Sequence, residues 1–140
     1  MLDQIIFLVH AVATFMWLGI TWFVQLIYYP MLQRLGPRFE QEHYNRTMPW
    51  AIFLLGIELV TGILLLWIRP MAIPLTLVII GLVLLVLIWL STWSVCVPCH
   101  QKLQTRKDVQ VYQQLMRANL LRSLLWTLRA ALVIWMLTLK

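Results

Sequence analysis

Four long stretches of this chain are almost free of charge: Ile5 to Tyr28, Pro49 to Ile68, Pro74 to Cys96 and Leu120 to Leu139. A helix rising about 1.5 Å per residue needs ~20 such residues to cross a ~30 Å hydrocarbon layer, and each stretch reaches that length. Runs such as Leu75 to Leu90 do not alternate apolar with polar residues, which excludes a membrane β-barrel. Helices are then the spanning structure that remains, because lipid offers no partner to an open backbone. The composition agrees: 62% of the residues are hydrophobic and 11% charged, against about 25% charged in a soluble domain.

The expected fold is therefore an all-α four-helix transmembrane bundle, a single membrane domain over residues 1–140 with spans near 5–28, 49–68, 74–96 and 120–139. Met1-Leu2-Asp3-Gln4 lacks Lys and Arg, and Ala11-Val12-Ala13 lies inside the apolar run, so the first span reads as a retained helix and not as a secretory signal. Gly36-Pro37 and Arg69-Pro70 read as turns. Asp108 reads as the cap of a helix whose Val109, Tyr112, Leu115 and Met116 recur at helical spacing and run into the fourth span, giving a short helical extension outside the membrane.

Basic residues are lopsided. Arg34, Arg38, Arg46, Lys102, Arg106, Lys107, Arg117 and Arg122 flank one side of the spans, while Arg69 and Lys140 flank the other. Positive loops stay in the cytoplasm, which predicts both termini outside a bacterial inner membrane. The net charge of +6 is then an orientation signal that also suits anionic lipid headgroups, and nucleic acid is not an expected partner.

An ionisable group in hydrocarbon costs roughly 2.5–3.5 kcal/mol on insertion scales, so such groups turn inward and mark function. Three stand out: His10, Glu58 and Arg129. Counted from the outer ends at ~1.5 Å per residue they lie about 8, 15 and 15 Å deep, close enough to share a layer. His10, Thr14, Trp17, Thr21, Gln25 and Tyr28 follow one another at three- and four-residue spacing, one helical stripe. Asn119, Arg122, Trp126, Arg129 and Val133 form a second, and Glu58 shares a face with Thr61 and Gly62.

Two readings of these stripes compete. In one, Glu58 and Arg129 form an ion pair that fixes packing. In the other they are catalytic candidates, His10 ligates b-type haem or another redox cofactor, Trp17 and Trp126 pack on it, and Arg122 and Arg129 hold its propionates or an acidic substrate. A non-catalytic accessory or assembly subunit of a larger membrane complex, or a small-anion or proton carrier working as a homo-oligomer, are further readings.

Cys96-Val97-Pro98-Cys99-His100 has the spacing of a covalent c-type haem attachment, yet it falls on the predicted cytoplasmic side. With His43 of the other basic loop, Cys96, Cys99 and His100 would also supply four zinc ligands. Reduced thiols without a special role are the plain reading.

Trp22-Phe23-Val24-Gln25, Tyr29-Pro30, Phe39, His43-Tyr44, Arg46-Thr47, Glu58, Pro98-x-His100-x-x-Leu103 and Asn119-x-x-Arg122-x-x-x-Trp126-x-x-Arg129 together resemble an uncharacterised family of small four-span bacterial membrane proteins. The resemblance runs over nearly the whole chain, and in that family's pattern the proline and His100 recur without the cysteines. His10, Trp17 and Gly19 are more remotely similar to the first span of the small helical membrane type of protoporphyrinogen oxidase, which would imply b-type haem on His10.

Overall fold

The computed structural model describes residues 1–139, so the orientation charge assigned to Lys140 lies outside the described residues. Four helices carry the chain: α1 Leu2–Leu35, α2 Pro37–Leu64, α3 Leu75–Leu103 and α4 Val109–Thr138. Each is long and apolar enough to span a membrane. Their outward faces carry exposed Leu8, Val12, Phe53, Val60, Val83, Leu87, Leu124 and Leu128. Exposed apolar surface of this extent fits a lipid environment.

The helices outrun the apolar stretches at the loop end. α1 continues seven residues past Tyr28 to Leu35, and α2 begins at Pro37, with Gly36 at φ 83° supplying the break. Only glycine adopts such a φ without steric cost. At the other end α2 stops at Leu64, four residues short of the expected Ile68, and a turn through Arg69-Pro70 leads to α3. The Asp108 carboxylate accepts from the backbone N–H of Gln110 (3.1 Å) and Val111 (3.2 Å), so the expected cap is present.

Two prolines shape the interior. Pro30 and Pro98 lack an N–H, and their rings push away the carbonyls of Leu26 and Ser94 one turn earlier. In both helices the chain widens to a π-helical segment ending two residues before the proline, Val24–Tyr28 in α1 and Thr92–Cys96 in α3. A π turn absorbs such a clash while keeping the helix continuous.

Around the bundle the order is α2, α1, α4, α3, and the seam between α2 and α3 is the loosest. Apolar cores recur along it: Phe7, Leu65, Ile73 and Met136 near the chain ends, Trp17, Leu85, Ile88 and Trp126 in the middle, and Tyr29, Leu32, Leu103 and Leu115 near the loops. Phe7 and Met136 share a core, so both termini lie at one end. Polar layers separate these cores.

Removing the Asp108 carboxylate leaves two N–H groups of α4 without their side-chain acceptor. Asp108→Ala is expected to lower stability by about 1 kcal/mol, read as a lower thermal midpoint in mild detergent.

Candidate functional site

The first polar layer lies between the end core and the middle core. Hydrocarbon forces the stripes of α1, α2 and α4 to face one another, and His10, Thr14, Glu58, Thr61 and Arg129 are all buried there. Arg129 Nη2 donates to Glu58 Oε2 at 2.9 Å and approaches His10 Nε2 at 3.2 Å. Its Nη1 donates to the Gly81 carbonyl of α3. His10 Nδ1 lies 2.9 Å from Thr61 Oγ1 and 3.1 Å from Glu58 Oε2. The Arg129 guanidinium also sits 5.5 Å from the centre of the Trp126 ring, which stacks on Trp17 at 5.6 Å. The layer thus unites His10, Glu58, Arg129, Trp17 and Trp126, as the stripes implied.

The haem reading needs an open imidazole nitrogen and space beside it. Both ring nitrogens of His10 are engaged, and the adjoining cavity, lined by His10, Gly62, Gly81 and Arg129, measures ≈ 10 Å³. That is about one water. A porphyrin does not fit this packing, and iron ligation would require Arg129 and Thr61 to give way.

Arg122 belongs elsewhere. It lies two turns along α4 from Arg129, beyond Trp126, at the wall of a second cavity of ≈ 370 Å³, within the ~300–1,000 Å³ typical of small-molecule sites. The two π segments and their neighbours form much of this cavity: Val24, Tyr28 and Tyr29 from α1, and Thr92, Trp93 and Cys96 from α3. Exposed Phe23, Trp50, Ile52 and Trp93 stand at its rim, so the mouth lies in the apolar surface that meets lipid. Trp17 is also part of the wall.

Arg122 is 8% exposed. Its Nη1 makes a long 3.4 Å bond to Asn119 Oδ1, and its Nε is buried without a hydrogen-bond partner. Asn119 spends its amide on Gln25 Oε1 (2.9 Å).

Next to the cavity stands a group the stripes did not predict. Glu40, fully buried, accepts from the Tyr28 hydroxyl at 2.7 Å and pairs with His100 Nδ1. His100 Nε2 lies 3.1 Å from the Tyr29 hydroxyl. Tyr28 stacks on His43 at 3.9 Å between ring centres. Tyr28, Tyr29, His43 and His100 all line the cavity.

The four-ligand zinc reading is not assembled. Among the described residues no group of three or more His, Cys, Asp or Glu stands close enough to hold a metal. His100 is turned to Glu40 and Tyr29, and Cys96 and Cys99 are buried free thiols in the core with Leu32 and Leu115. Comparison of the chain with protein-family models, with curated proteins and with solved structures found no match.

The closed layer makes a packing prediction. Glu58→Ala strands the Arg129 cation in the interior and is expected to cost about 3–5 kcal/mol. Glu58→Leu combined with Arg129→Met removes both charges and should be less destabilising than Glu58→Ala alone, as read from thermal unfolding in detergent. A double variant worse than the single would point to a role for the charges beyond mutual neutralisation.

Proposed function

We propose that this protein binds an amphipathic, membrane-soluble ligand with an anionic head, held by Arg122 inside the second cavity. The observation that carries this reading is a guanidinium more than nine-tenths buried, with an unpartnered Nε, at the wall of a mostly apolar cavity. Burying a cation with no carboxylate in contact is costly. A carboxylate or phosphate accepts from a guanidinium in a bidentate, charge-assisted fork, so such a head supplies what the folded chain lacks.

The rest of the lining fits the body of such a ligand. Trp17, Val24, Leu55 and Trp93 offer an apolar and aromatic surface, and the rim lies where a lipid-dissolved molecule arrives. The excess of Lys and Arg in the loops at this end supports a cytoplasmic position for this half of the bundle, in a bacterial inner membrane with both termini outside. The ligand class replaces haem on His10 as the reading of the site. The closed packing of His10 also supports a colourless purified protein, and a Soret band that vanishes in His10→Ala would restore the haem reading.

Bromine on a bound chain quenches nearby indoles, and Trp17, Trp50 and Trp93 line the cavity. Titration of protein in phosphatidylcholine nanodiscs with ω-bromododecanoate is expected to quench their fluorescence saturably. Arg122→Gln should weaken this binding roughly ten- to a hundredfold, the equivalent of about 1.5–3 kcal/mol for hydrogen bonds to a charged group. Equal affinity in Arg122→Gln would reject the reading.

A further inference from the structure

The two buried charges nearest the second cavity do not touch. Among the described residues Glu40 has His100 as its ion-pair partner, and Arg122 has no acidic partner. With His100 neutral, one buried cation and one buried carboxylate balance across the cavity. An anionic head arriving at Arg122 adds a second negative charge beside the buried Glu40. Low-dielectric surroundings penalise that excess unless a positive charge arrives with it.

His100 is the group built to take that charge. Its Nδ1 faces the Glu40 carboxylate, which fixes the ring, and its Nε2 faces the hydroxyl of Tyr29, a residue of the cavity wall. We propose, resting on the anion reading above, that the site takes up a carboxylic acid as separated anion and proton, the carboxylate on Arg122 and the proton on His100 beside Glu40.

The step balances without any further reagent. An acid entering from lipid gives its proton to the Tyr29 oxygen while the Tyr29 hydrogen passes to His100 Nε2. The O–H bond of the acid breaks, an N–H bond forms on His100, and the phenol is regenerated. Two ion pairs result, carboxylate with Arg122 and imidazolium with Glu40. An anion arriving from water instead draws its proton from water, through the imidazole whose side chain is 16% exposed.

Other titratable and charged groups face this chain: Tyr28 from α1, His43 and Tyr44 from α2, and Arg122 from α4. Cys96 and Cys99 lie on the element that carries His100. His43 is the competing imidazole, and it remains in every variant below.

The test counts protons. Calorimetric titration of the whole protein in phosphatidylcholine nanodiscs with dodecanoate, repeated in buffers of different ionisation enthalpy, gives protons taken up per ligand bound. Between about pH 7 and pH 8, where a free imidazole is mostly neutral, uptake of about one proton is expected, with affinity falling about tenfold per pH unit. Phosphatidylglycerol added to the nanodiscs distinguishes a lipid phosphodiester head from a free acid, since the preferred head displaces the other.

Glu40→Gln is the decisive variant, because it keeps the shape and removes the negative charge. The anion then restores neutrality by itself, so binding should tighten at the upper pH and proton uptake should disappear. His100→Gln should bind more weakly and also without uptake. If the network merely clamps α2 to α3, Glu40→Gln weakens binding or leaves the proton count unchanged, and either result overturns the proposal. Binding in the wild type without proton uptake overturns it as well, while the Arg122 reading stands. Failure of both dodecanoate and phosphatidylglycerol to bind would remove the reading beneath it.

Discussion

Charge inside hydrocarbon has to be neutralised, and this bundle faces that demand twice with the same parts. Each polar layer contains a glutamate of α2, an arginine of α4 and a histidine. In the first, Arg129 Nη2 lies 2.9 Å from Glu58 Oε2, Arg129 also donates to the Gly81 carbonyl, and His10 meets the Thr61 hydroxyl, although Arg129 Nε and Glu58 Oε1 stay without hydrogen-bond partners. The layer joins all four helices and leaves almost no space. In the second layer Glu40 turns to His100 while Arg122 faces the cavity, so the charges are present but not in contact. A contact pair is a lock, whereas a separated pair is a demand that a third charged group can meet.

The separation has a structural cause in the prolines. Pro30 and Pro98 force widened turns into α1 and α3 at the same end of the bundle, and residues of both turns wall the cavity. The loosest seam, between α2 and α3, adjoins the same space. Where no proline intervenes, as around Gly62 and Gly81, the helices close and the cavity shrinks to ≈ 10 Å³. Helix irregularity at membrane depth is tolerated when it is buried in protein or faces a cavity.

The stripes of α1 and α4 were legible because lipid leaves a polar side chain one direction to face. His10, Thr14, Trp17, Thr21, Gln25 and Tyr28 are all buried, as are Asn119, Arg122, Trp126 and Arg129. A stripe gives a face but not a neighbour at each depth, so spacing alone groups Arg122 with Arg129 and His10. Glu40 was hidden for another reason. It stands among Arg38, Glu42 and Arg46, a composition that reads as a solvated loop, whereas α2 runs as one helix from Pro37 and turns Glu40 under Tyr28. His100 was masked by the cysteines that precede it, whose spacing suggested metal chemistry. Hydropathy marks where hydrocarbon lies, not where a helix stops, so the extensions of α1 to Leu35 and of α2 back to Pro37 escaped it.

The two layers are coupled through the stacked Trp17 and Trp126 rings between them. Trp17 belongs to the wall of the large cavity, while Trp126 lies 5.5 Å from the Arg129 guanidinium of the closed layer. Both indole Nε1 atoms are buried without hydrogen-bond partners, so packing holds the rings in place, not polar bonding. Arg129 is in turn fixed by Glu58 and by the Gly81 carbonyl. The closed layer therefore anchors the aromatic pair whose Trp17 belongs to the cavity wall. The locked charge pair so gives the open one a rigid boundary, which a cavity between only four helices needs if it is to keep its shape when empty.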